Sequence, residues 1–222
     1  MNRLSTNVVA STLLCCASMA HANLLTNGSF ESGAFVTQGN DTMSLPAGST
    51  VISGWSVVTD TTAWIGATNP FSLAASDGSF FLDLTNYQAG APFAGMSQSI
   101  ATTPGDTYSL SFDLGGSNRW GRPDSLTASA AGTSMTFTTG AASTTSPNND
   151  WYRESMQFVA SSASTTILLQ GTSGFNYIGL DNASVDVVSG SPPAVPEPST
   201  WMLVVAGLAS VAAIARRPGR RQ

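Results

Sequence analysis

The chain has 222 residues, 42% of them hydrophobic and only 9% charged, with eight arginines and no lysine. That length allows one domain plus accessory segments, and the composition excludes disorder, which pairs low hydrophobicity with high net charge. Between 23 and 200 only Arg119, Arg122 and Arg153 offset all thirteen acids, a formal charge of −10; such a body repels phosphate backbones, excludes a nucleic-acid partner and suits a polyhydroxy ligand or a divalent cation.

Residues 1–22 have the form of a secretory signal peptide. Arg3 supplies the positive start, "VVASTLLCCASMA" the apolar stretch, and Ala20-His21-Ala22 the small-x-small cleavage site. The residues before Cys15 and Cys16 lack the small side chain expected ahead of a lipidated cysteine, so both are read as filler of the apolar stretch. Cleavage after Ala22 leaves a mature chain without Cys, Lys or His. Disulfides, Cys/His zinc sites, Schiff-base lysines and Ser-His-Asp triads are then excluded by inventory.

The body that follows is predicted to be all-β. "DTYSLSFDLGG" (106–116) alternates Tyr108, Leu110, Phe112 and Leu114 against polar neighbours, the period of a half-buried strand. In chain order the other predicted strands are 50–58, 79–85, 95–102, 124–131, 133–139, 151–160, 164–171 and 177–188, with "TPGD" (103–106) as a turn. Strands at this spacing, without helical periodicity, predict an antiparallel β-sandwich or jelly roll over 23–190.

A Pro-rich spacer (191–200) carries Pro196, Glu197 and Pro198 in "VPEPST", and 201–222 holds a 15-residue apolar run followed by four arginines. The run is shorter than the roughly 20 residues of a membrane-spanning helix, which Trp201 and the arginines can extend by snorkelling. This three-part end resembles the PEP-CTERM sorting signal of Gram-negative bacteria. The resemblance implies export across the inner membrane, attachment through the C-terminal segment, and recognition by an exosortase, with delivery to the cell surface or extracellular matrix. An ordinary single-span anchor is the plainer alternative, and in both cases residues 23–190 face outward.

Six motifs follow one another through the body: "NLLTNGSFESG", "ISGWSV", "DGSFFLDL", "MSQSIATTPGDTYSLSFDLGG", "WYRESMQFVASSASTTILLQG" and "GLDNASV". Their order resembles the galactose-binding-like jelly rolls of the choice-of-anchor C type, related to plant cell-wall proteins. The resemblance implies a fold more than an activity. In a jelly roll the first and last strands lie close, which brings Glu31 toward Asp181. The two can share a structural Ca2+ ion with backbone carbonyls, or can simply accept backbone hydrogen bonds in turns.

Loop aromatics are the candidate ligand residues. Tyr87 and Phe93 stand in "TNYQAGAPFAG", and Trp120 stands in "GGSNRWGRPD" between Arg119 and Arg122. Sugars stack their C–H faces on flat rings while polar side chains take the hydroxyls, although a loop aromatic can equally fold back onto a sandwich rim. Trp55, Trp64 and Trp151 are expected in the core. No spacing among the carboxylates singles out a hydrolytic pair and no G-x-S-x-G elbow is present, so catalysis is not expected. Two readings remain: non-catalytic binding of extracellular polysaccharide, and a structural or adhesive matrix protein acting through protein contacts.

Overall fold

The computed structural model describes residues 23–117, 119, 120, 123–140 and 149–189, and every regular element among them is a strand. Ala20, Ala22, Arg122, Pro196, Glu197 and Pro198, together with the apolar run after 200, lie outside the described residues. Among the described residues no helix is long and apolar enough to cross a membrane.

Eleven strands form: β1 (Thr42–Leu45), β2 (Ser56–Val58), β3 (Thr62–Ile65), β4 (Phe81–Asp83), β5 (Gly95–Ala101), β6 (Thr107–Ser117), β7 (Ser125–Ala130), β8 (Thr133–Thr138), β9 (Asn149–Val159), β10 (Ser164–Ser173) and β11 (Gly179–Ser189). They build a six-stranded sheet in the order β1-β3-β4-β11-β6-β9 and a five-stranded sheet in the order β2-β5-β10-β7-β8. From β5 onward the chain passes repeatedly from one sheet to the other, so the two stack into the antiparallel jelly-roll sandwich expected from the sequence. The turn at 103–106 closes with Asp106 N–H donating to the Thr103 carbonyl at 3.1 Å.

The alternation along β6 does what its period requires. Tyr108, Leu110, Phe112 and Leu114 are buried between the sheets, where they meet Met96, Ile100, Leu126, Ile167 and Leu169. Trp55 and Trp64 join this core as expected, each satisfying its indole N–H on a backbone carbonyl (Asn27 and Phe30). A buried indole without such a partner costs far more than the bond itself contributes.

Two strands were not legible in the sequence. β1 and β3 are four residues each, and β3 (Thr-Ala-Trp-Ile) is buried on both faces, so it shows no alternation. Only the last three residues of the expected 50–58 strand are strand, because Trp55 N–H closes a turn onto the Ile52 carbonyl.

β3 is buried on both faces because the six-stranded sheet is covered twice. One row of cross-strand partners, Ala63–Asp83–Gly179–Gly115–Trp151, runs across its outward side. There Ala63, Ile65, Leu73, Phe81 and Tyr177 form a second apolar cluster, packed by Phe71, Trp120 and Trp151. Trp151 therefore belongs to this outer cluster and not to the main core. The segment 66–80 between β3 and β4 supplies the cover: Asn149 accepts from and donates to the Ala74 backbone, and the Trp151 indole also donates to the Ala74 carbonyl at 2.9 Å.

Gly115 and Gly179, opposite each other in that row, leave room for two rings. A Cβ on Gly115 would stand 2.7 Å from Trp151, and one on Gly179 would stand 2.5 Å from the Tyr177 hydroxyl and 2.7 Å from the Gly115 Cα. Overpacking of this kind costs about 1–3 kcal/mol. Gly179→Ala is accordingly expected to lower the unfolding free energy by that amount, read in equilibrium unfolding as a lower denaturant midpoint at unchanged slope.

Candidate functional site

A cavity of about 360 Å³ opens beside the covered face. It is lined by Asn40, Thr42, Phe71, Leu73, Asp83, Tyr87, Trp120, Asn176 and Tyr177, drawn from five separate stretches of chain. Each wall is fixed by a polar side chain that accepts backbone N–H groups.

Asp83 ends β4 and is fully buried. Its Oδ1 accepts from the Thr85 and Ile178 amides at 2.9 and 3.0 Å, and its Oδ2 accepts from the Tyr87 amide at 3.2 Å. Burial pushes its pKa up to about 6, against the opposing pull of those donors. The held loop turns through Asn86 and Tyr87 at φ of 47° and 69°, a left-handed conformation that a non-glycine residue adopts at a cost. Asn40 (56°) and Asn176 (62°) share it, so strained backbone gathers round this cavity. Burial also raises the Tyr87 phenol to about 12, with the Asp83 charge adding to it, so the hydroxyl stays protonated.

The opposite wall comes from the 66–80 segment. Buried Asn69 accepts from the Phe71 and Leu73 amides and donates to the carbonyls of Gly66 and Leu73. The Phe71 and Tyr87 rings lie 5.9 Å apart. Trp120 follows β6, where the Ser117 hydroxyl accepts the Trp120 amide at 3.0 Å. The Arg119 guanidinium sits 4.8 Å from the Trp120 ring centroid, in cation–π range, and is exposed.

Of the residues expected from the sequence, the cavity brings Tyr87 and Trp120 together, with Arg119 over the Trp120 ring. Phe93 is not there. It is buried in the main core, because the Gln170 amide donates to its carbonyl at 2.7 Å and bare Gly171 seats its side chain. Arg122 lies outside the described residues. Sequence reasoning missed Phe71, Asp83, Asn40 and Asn176. The one available signal was Asp83, a carboxylate on the same side of its strand as Phe81.

Glu31 and Asp181 converge on one loop, but through different atoms. Asp181 Oδ2 accepts the Ser76 and Asp77 amides at 2.8 and 2.9 Å, and its Oδ1 accepts the Asn182 amide at 2.7 Å. Glu31 Oε1 accepts the Ser79 and Phe80 amides at 2.8 and 2.7 Å. Asp113, beside Asp181, accepts from the Ser76 hydroxyl and the Asn182 side chain and pairs with Arg153 at 3.2 Å. These donors engage both Asp181 oxygens and Glu31 Oε1, so in this structure the two carboxylates hold the 76–80 loop through its backbone amides. Among the described residues no three His, Cys, Asp or Glu side chains cluster for a metal.

The fold and cavity define a class: an all-β sandwich with an aromatic-walled pocket beside the outward face of its larger sheet. Residues 23–176 match the family described as "Protein of unknown function (DUF642)", and the chain belongs to that family. Residues 194–221 match the PEP-CTERM protein-sorting motif. No curated protein matches the chain. Among solved structures, one similar chain is TmCBM61 in complex with β-1,4-galactotriose. It is 15% identical, with 75% of this chain and 99% of that one covered, at a TM-score of 0.45. Another is the CBM22-1 xylan-binding domain of Paenibacillus barcinonensis Xyn10C, at 15% identity, 70% and 100% coverage and a TM-score of 0.41. A third is the K1 cleaved adhesin domain of Lys-gingipain from Porphyromonas gingivalis W83, at 12% identity, 68% and 99% coverage and a TM-score of 0.45.

Burial raises Asp181 to about 7 as well, ahead of the lowering by its amide donors. A carboxyl whose folded pKa lies above its unfolded value near 3.8 binds more protons when folded. Its contribution is fully present below about pH 4 and is lost as pH rises through about 6 to 7, a change on the order of a few kcal/mol. The melting temperature is expected to be higher at pH 5 than at pH 8, and Asp181→Asn to flatten that difference. EDTA and millimolar calcium are expected to give the same melting temperature; a rise with calcium that is lost in Glu31→Ala and in Asp181→Ala would restore the shared ion.

Proposed function

We propose that this chain is an exported protein of the envelope surface or extracellular matrix that binds extracellular polysaccharide without catalysing a reaction on it. The observation that carries this reading is the cavity in which Trp120, Tyr87 and Phe71 surround Asn40, Thr42 and Asn176. Flat rings take the C–H faces of sugars, while amides and hydroxyls take the sugar hydroxyls. The neutral Tyr87 phenol adds a donor, and Arg119 stands at the edge as a planar donor for hydroxyls or uronic carboxylates.

Among the described lining residues Asp83 is the one carboxylate, and its oxygens are engaged by the backbone. Most glycosidases need a second carboxyl group roughly 5–9.5 Å away. That supports binding over hydrolysis. The PEP-CTERM motif at 194–221 supports sorting to the surface, with an exosortase as the processing partner and the apolar tail as a membrane contact before processing.

A glycan array probed with the purified protein tests the reading. Discrete saccharide hits are expected. Trp120→Ala and Tyr87→Ala are each expected to weaken binding to those hits by about tenfold or more, ~1.4 kcal/mol, with little change in melting temperature. Silence on the array, or full binding in both stable variants, would favour a matrix protein that works through protein contacts.

A further inference from the structure

Burial along the cavity lining falls in one direction. Tyr177, Leu73 and Asp83 are buried, Thr42, Phe71, Asn176 and Trp120 are half-buried, and Asn40 and Tyr87 are exposed. A lining graded from a buried floor to an exposed rim is that of a pit, which suits the end of a chain better than its interior. The volume of about 360 Å³ sits near the lower limit of small-ligand sites, which run from about 300 to 1,000 Å³, and holds about one or two pyranose rings.

The walls are also fixed in place. Asn69 holds Phe71 and Leu73, Asp83 holds Tyr87, and Ser117 holds Trp120, each by accepting backbone amides. Opening the pit into a groove would break bonds made by buried acceptors and leave them unsatisfied.

Among the described residues the uncovered sheet faces carry polar side chains and no aromatic platform for a long chain. The outward side of the five-stranded sheet carries paired hydroxyls: Ser99 with Thr166 at 2.9 Å, Thr127 with Thr136 at 2.7 Å, and Ser129 with Ser134 at 2.7 Å. Phe137, the aromatic side chain of its strands, packs inward against the core. On the outward side of the six-stranded sheet, segment 66–80 covers the part around Asn149, Trp151 and Asp181, and the uncovered part carries the Ser111, Arg153 and Ser184 side chains bonded to one another.

Resting on the glycan-binding reading above, we infer that the site grips the terminal one or two sugars of a polysaccharide or of a side branch, and not an internal stretch of chain. Recognition depends on a free chain end that enters the pit, so affinity is set by the last sugars and not by polymer length.

The full chain, titrated calorimetrically with β-1,4-linked gluco-, xylo- and galacto-oligosaccharides of two, four and six residues, tests this. Within the series that binds, Kd is expected to stay within about twofold from the shortest to the longest. Fragmenting the parent polymer, which raises the number of ends per gram, is expected to raise the moles bound per gram in proportion. Tyr87→Ala is expected to weaken binding of disaccharide and polymer by the same factor. Affinity that climbs tenfold or more with length, or binding per gram that ignores fragmentation, overturns chain-end recognition and leaves glycan binding standing. Failure of every series and polymer to bind overturns both.

Discussion

A carboxylate that accepts consecutive backbone amides can replace a missing strand partner, and this molecule relies on that substitution. Segment 66–80 crosses the outward face of the larger sheet without pairing to it as a strand, so its backbone N–H groups need acceptors from elsewhere. Asp181 takes the amides of 76 and 77, Glu31 those of 79 and 80, and Asp41 that of Thr68 at 2.8 Å. Asn69 and Asn149 complete the set with the amides of 71, 73 and 74. The segment is held by side chains in the way a sheet is held by its ladder.

The cavity depends on that cover. Removing the 66–80 segment would take Phe71 and Leu73 from one wall and expose the apolar cluster of Ala63, Ile65 and Phe81 beneath. The opposite wall repeats the same device on a smaller scale, with Asp83 organising 85–87 while its buried side faces the sheet. Gly179 leaves room for the Tyr177 ring that lines the cavity, as Gly115 does for Trp151. The left-handed turn at Asn86 and Tyr87 fits the same picture: its amides are held by acceptors on Asp83 and Thr85 at the cavity wall.

The sandwich was legible in the sequence where strands are long and one-sided. β6, β9, β10 and β11 alternate over ten or eleven residues and were placed to within a few residues of their ends. β1 and β3 escaped because four residues give little period, and because β3 is apolar on both sides under its double cover. Tyr87 and Trp120 stood out as aromatics among turn-forming and polar residues. Phe93 had the same surroundings on paper, and only the seat at Gly171 separates it from them. Phe71, Asn40 and Asn176 carry no local mark, since what makes them neighbours is loop packing between stretches far apart in the chain. Glu31 and Asp181 were correctly drawn toward one place by the closeness of the first and last segments, where the Leu24 amide donates to the Val185 carbonyl. What they share is a loop backbone.

β11 begins at Gly179, two residues from cavity-lining Tyr177, and ends at Ser189, paired to Thr107 at the far end of β6. Its eleven residues span about 35 Å at strand rise. The sorting motif begins five residues further on, at 194. A domain leashed through that motif thus has its attachment point and its pit at opposite poles of one strand. The described chain ends a full strand's length from the Tyr177 floor of the cavity.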